Sequence, residues 1–112
     1  MSLVTGAKNE ALNALNLTLI SLHSGPPTEA GTANEITGGG YSRQSCTFGT
    51  ASNGTRALTN QPQFNVAAGV TVSHYVVRDS AGNPKDVGAF ATSETFGNAG
   101  VYTVNSGSIS IT

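Results

Sequence analysis

The sequence predicts an all-β fold, an antiparallel β-sandwich or jelly roll of seven to eight short strands with one short N-terminal helix. Three observations carry this reading. Val70, Val72, His74 and Val76 alternate with Thr71, Ser73, Tyr75 and Val77, which is the period of two of a strand. Turn-forming clusters rich in Gly, Asn, Asp, Ser and Pro recur roughly every eight to twelve residues, the spacing of sandwich loops. The composition fits as well: 14 Thr, 12 Ser and 10 Asn stand beside 14 Gly in 112 residues, and only 10 % of the chain is charged.

Taken in order, residues Thr5 to Asn16 form the one expected helix. Thr5 stands where a cap would, and Ala7, Ala11, Leu12 and Leu15 recur at three- and four-residue spacing. About three turns of helix are unstable alone, so this segment must dock on something. Leu17 to His23 reads as a strand closed by Ser24-Gly25-Pro26-Pro27, because proline removes a donor and fixes the backbone. Thr28 to Gly40 is a long connection ending in Gly38-Gly39-Gly40, read as a flexible hinge into the next strand. Loops of this length are commonly functional or packed against a partner.

Tyr41 to Phe48 is the next expected strand, followed by a turn centred on Asn53-Gly54. Leu58 to Val66 contains Pro62, which suggests an edge strand. After Val70 to Arg78, the run Asp79-Ser80-Ala81-Gly82-Asn83-Pro84 is dense in turn residues. Val87 to Ser93 places Val87, Ala89 and Ala91 on one face and Phe90 on the other. Val101 to Val104 and Ser108 to Thr112 are expected to pair as a hairpin through Asn105-Ser106-Gly107, with Ile109 and Ile111 on one apolar face. The division this implies is an N-terminal helical arm over 1–16 and a β-sandwich over 17–112.

Composition excludes several functions. Leu, Ile, Val and Phe number 24, about 21 % of the chain, enough for a thin core at a net charge of -1. Five Lys and Arg cannot build a phosphate-neutralising surface, so no nucleic-acid partner is expected. The start Met1-Ser2-Leu3-Val4 opens no signal peptide, and Asn13, Asn16, Thr18 and Ser21 interrupt the longest apolar stretch, so no membrane span is expected. Synthesis in a cytoplasm is the corresponding expectation, and the sequons at Asn16 and Asn53 are read as accidental. A weakly charged Thr/Ser/Asn exterior favours association, which points to a protein that lives inside an assembly.

Candidate chemistry is sparse. Cys46 is the single cysteine, so no internal disulfide forms. As a nucleophile it would need His23 or His74 within hydrogen-bond reach, and no flanking motif supports that. Its strand parity with Phe48 suits a small buried hydrophobe instead. His74 reads as a hydrogen-bonded core or rim histidine, and His23, at a strand end, as solvated or at an interface. Neither the two histidines nor the six acids form a metal or carboxylate-pair pattern. Catalytic, cofactor-binding and metal-binding residues are therefore all expected to be none. Glycan binding is an alternative, limited by the absence of Trp and by three tyrosines, Tyr41, Tyr75 and Tyr102.

The stretch Asn34-Glu35-Ile36-Thr37-Gly38-Gly39-Gly40-Tyr41-Ser42-Arg43-Gln44, with Leu22-His23-Ser24-Gly25 before it, resembles a family of small tailed-bacteriophage virion proteins. The likeness extends to Val72-Ser73-His74-Tyr75, to Ala89 through Phe96, and to Tyr102 through Thr112. It implies a non-enzymatic virion structural protein without cofactors, whose partners are phage coat or tail proteins and other copies of itself. Capsid decoration and cementing is the first position it suggests, with a tail or tail-fibre module that contacts the host surface as the alternative. Glu35, Tyr41 and Arg43 would anchor the long loop or an interface, and Leu12 and Leu15 would dock the helix.

Overall fold

A computed structural model describes residues 2–110 of the chain. Its element order is α1 (Thr5–Ala14), β1 (Leu19–His23), β2 (Gln44–Ser45), β3 (Thr55–Ala57), β4 (Gln63–Val66), β5 (Thr71–Arg78), β6 (Pro84–Thr95), β7 (Gly100–Thr103) and β8 (Ser108–Ser110). All strand pairs are antiparallel. One four-stranded sheet has the order β2-β1-β5-β6, and two ribbons, β3-β8 and β4-β7, lie across it. The all-β sandwich with one short helix is therefore the fold of this chain.

The layers meet in one cluster. Ile20 and Leu22 from β1 and Val72 and Val77 from β5 pack with Phe64 and Val66 of β4, Val104, and Ile109 of β8. Leu12 of α1, Leu17, Ile36 and Cys46 complete it. Tyr41 stacks on Phe64 at 6.3 Å, and Tyr75, Phe90, Tyr102 and Phe96 form a chain of ring contacts at the cluster's margin. All three tyrosines are thus half-buried and taken up by neighbouring phenylalanines. The molecule measures 47 × 27 × 25 Å.

Several expected boundaries move, each for a local reason. Val4, not Thr5, occupies the helix N-cap, and no side chain caps it. The helix stops at Ala14, where the Leu15 amide donates to the Leu12 carbonyl. The expected strand Tyr41 to Phe48 shrinks to Gln44–Ser45. Before it the chain is still turning, with the Tyr41 amide on the Gly38 carbonyl, and after it the Thr47 amide is captured by the Asn60 side chain. The segment 58–66 divides because Pro62 has no N–H, so β4 begins after it.

The expected terminal hairpin does not form. Strand β7 pairs with β4 and β8 with β3, so the Val104–Gly107 connection crosses from one ribbon to the other. The Val104 amide bonds the Pro62 carbonyl at one end, and the Gly107 carbonyl accepts from Leu58 at the other. The expectations for Ile111 and Thr112 lie outside the described residues. Strand β6 is longer than the period-two run implied, since pairing with β5 extends it to Thr95. The β5–β6 turn is fixed by Asp79, whose carboxylate accepts from the Ala81 and Asn83 amides.

Gly38-Gly39-Gly40 is a packed turn and not a hinge. All three residues have positive φ, and a Cβ on Gly39 would lie 2.8 Å from the Ala67 backbone. Only glycine tolerates that backbone conformation and that approach at once.

Candidate functional site

The 24–40 connection runs over the outer face of the four-stranded sheet and is held at both ends. At its end nearer β2, Tyr41 donates its hydroxyl proton to Glu35 Oε2 at 2.8 Å and accepts a hydrogen bond from the Leu22 amide at 3.0 Å. Arg43 meets the same carboxylate with two bonds, Nε to Oε2 at 3.0 Å and Nη2 to Oε1 at 2.9 Å. The fork geometry of Arg matches a carboxylate in this way. Burial alone would raise the Glu35 carboxyl, but the hydrogen bonds from Arg43 and Tyr41 outweigh it and hold it below its ordinary value. Burial pushes the Tyr41 phenol far up, so it stays a donor. The structure thus brings Glu35, Tyr41 and Arg43 together around one carboxylate.

Leu12 and Leu15 lie elsewhere, on the α1–β3 side. Leu12 is 1 % exposed, and Leu15 packs half-buried against the same cluster. Arg56 of β3 closes the helix end there: its Nη1 donates to the Leu12 and Leu15 carbonyls, and its remaining nitrogens to those of Phe48 and Gly49. Asn13 and Asn9 side chains accept from the Ala51 and Gly54 amides. These groups tie the short helix to the Asn53-Gly54 turn.

At the other end of the 24–40 connection sits a buried polar set that sequence reasoning missed. His23 is fully buried, not solvated as its strand-end position suggests, because the loop folds back over it. Its Nδ1 lies 2.8 Å from the Ala33 carbonyl and its Nε2 2.8 Å from Ser21 Oγ. Arg78, 2 % exposed, donates Nε to Ser21 Oγ, Nη1 to the Gly82 carbonyl, and Nη2 to the Gly31 carbonyl. The readable signal is parity in the second half of β5: Arg78 shares the face of Val76 and alternates with core-facing Val77, while a bulge between Val72 and His74 leaves Val72 on the core face.

Ser21 and His23 are hydrogen-bonded but both 0 % exposed, so no substrate reaches them. Cys46 is buried in the apolar cluster, and burial pushes its thiol up to about 11, far from a thiolate at neutral pH. His74 is half-buried and bonded to its neighbour Ser73. Among the described residues, no three His, Cys, Asp or Glu side chains gather as a metal site, and no helix is long and apolar enough to cross a membrane.

A small β-sandwich whose polar networks fasten loops and helix ends has the build of a structural module. Residues 5–112 match the family model described as podophage GP4 fiber I protein gp80, and the chain belongs to that family. It is accordingly a tailed-phage virion structural protein. Among curated proteins none matches the chain.

Proposed function

We propose that this chain is a non-enzymatic module of a podophage fibre, attached by its N-terminal arm and presenting its sandwich outward. The observation that carries this reading is the family match itself, which spans the helix and every strand. The fold supports it in two ways. Leu3 and Val4, immediately before α1, are 53 % and 74 % exposed, an apolar pair at the arm's tip suited to docking on another virion protein. Strand β6 is the free edge of the sheet over twelve residues, and free edges lend themselves to pairing between molecules. The arm of residues 1–16 is in this view the attaching segment, and the sandwich over 17–112 the part carried; Leu12 joins the two.

Glu35, Tyr41 and Arg43 serve this function by keeping the loop fixed on the sheet, so that the exposed face has one shape. The partners are phage structural proteins and other copies of this chain, with no nucleic acid and no membrane. Cementing of the head would use the same weakly charged exterior and draws on no further feature. Separation of disrupted virions into heads and tail-fibre assemblies tests the proposal. Recovery of the chain with the tail-fibre fraction is expected, and recovery with empty heads would contradict it.

A further inference from the structure

We propose that the 24–36 segment is an acid-sensitive cover, closed while the His23 ring is neutral and released when the ring takes up a second proton. The hydrogen-bond roles follow from the partners. The Ala33 carbonyl can only accept, so His23 Nδ1 carries the hydrogen. Nε2 of the neutral ring is then the acceptor, and the Ser21 hydroxyl donates to it. Ser21 Oγ in turn accepts from Arg78 Nε at 3.0 Å. One chain of donors runs from Arg78 through Ser21 and His23 to the cover, and every member is satisfied.

Protonation of Nε2 reverses one link of that chain. The Ser21 oxygen would face two N–H donors, from His23 and Arg78, and its own hydrogen would lose its acceptor. Two cations would also share one hydroxyl in a site where Ser21 and His23 are fully buried. The charged and titratable groups facing His23 are Arg78 and His74 on β5, the latter opposite His23 in register, Glu35 through the bridge that pairs it with His23, and Arg43 beyond Glu35. Glu35, held by Arg43 and Tyr41, and the Ala33 carbonyl both favour the charged ring, Arg78 and Arg43 oppose it, and burial outweighs the two that favour it. Burial is the largest influence on the ring and holds its pKa below 6.5.

The cover is the element that gives way because most of its attachments pass through this site, Glu35 on Arg43 and Tyr41 being the exception. Ser24 and Ile36 amides bond the Asn34 and Leu22 carbonyls, and Gly31 is seated against Val76 and Pro84 with its carbonyl on Arg78. Nothing equivalent ties the β4–β7 ribbon to His23. The sign follows: the unfolded or opened ring binds a proton near 6.5 and the closed one only at lower pH, so closure weakens as pH falls below about 6.5. Each pH unit within that window is worth up to about tenfold in the closed-to-open ratio.

The test is amide hydrogen exchange by NMR on the full chain at pH 7.5 and 5.5, expressed as protection factors, together with the imidazole nitrogen shifts of His23. Protection at Ser24 and Ile36 should fall by up to about tenfold while that of Val104, bonded to Pro62, stays level. The same result is expected in His74→Gln, which removes the other histidine. A His23 ring already charged at pH 7, parallel losses at Val104, or an effect abolished by His74→Gln would each overturn the proposal.

Discussion

Tyr41 holds two partners through a single oxygen, since its hydroxyl donates to Glu35 and accepts from the Leu22 amide. Tyr41→Phe leaves that amide unpaired at the sheet edge and should cost about 1–3 kcal/mol, read from urea unfolding. Glu35 adds a pH dependence of known sign. Its carboxyl titrates below the ordinary 4.5 in the folded chain, so its stabilisation is complete above that value and is lost as pH falls through the folded one. Arg43→Met removes a main cause of that lowering and should flatten the acid loss below pH 4.5, by roughly 1 kcal/mol or less because the Arg43 side chain is 36 % exposed and the pair is screened by solvent. Glu35, Tyr41 and Arg43 stood out through the resemblance, as anchors of the loop or of an interface, and the structure joins them around one carboxylate. The burial of His23 and Arg78 was not legible. Strand periodicity says which residues share a face, but not which face a distant loop will cover.

The helix illustrates what an element needs from its surroundings. Ten residues without a side-chain cap cannot persist alone, and Leu12 with the Arg56 guanidinium supplies what is missing. Arg56→Met removes a donor from four carbonyls, of which Leu12 keeps the Leu15 amide, and should lower stability by about 3 kcal/mol in urea unfolding. Arg56→Lys should recover only part of it, since one ammonium cannot reach four acceptors in a fork. The helix itself was legible from three- and four-residue spacing, as was the existence of β5. The regular alternation of β5 does not hold, because a bulge between Val72 and His74 brings Val72 onto the face of Val77. The strand partners of 101–110 were not legible, because a Gly-containing connection is equally compatible with a tight hairpin and with a crossing between two ribbons. In the observed pairing, β7 on β4 and β8 on β3, Phe64 and Ile109 are both buried in the core.

At the scale of the whole molecule, the sandwich is thin, with a four-stranded sheet covered by two short ribbons on one side and a latched loop on the other. Between the sheet and the β8 ribbon a pocket of about 190 Å³ is lined by Ile20, Tyr75, Val77, Phe90 and Ile109, while Leu3, Val4 and Val101 stand exposed on the surface. Leu3→Ser combined with Val4→Ser should leave the unfolding free energy within about 0.5 kcal/mol of the parent, because both side chains are exposed. Assembly of that double variant into particles, counted by quantitative mass spectrometry of purified virions, should nevertheless drop sharply. The family and the low charge made a virion protein legible from sequence, whereas the attaching surface is a property of exposure, which only the folded chain reveals. The most direct measurement is a cryo-electron reconstruction of the intact virion into which the sandwich is fitted: density for it in the fibre, with the 1–16 arm against the adjoining protein, is the predicted result, and its placement across the head lattice would contradict the account.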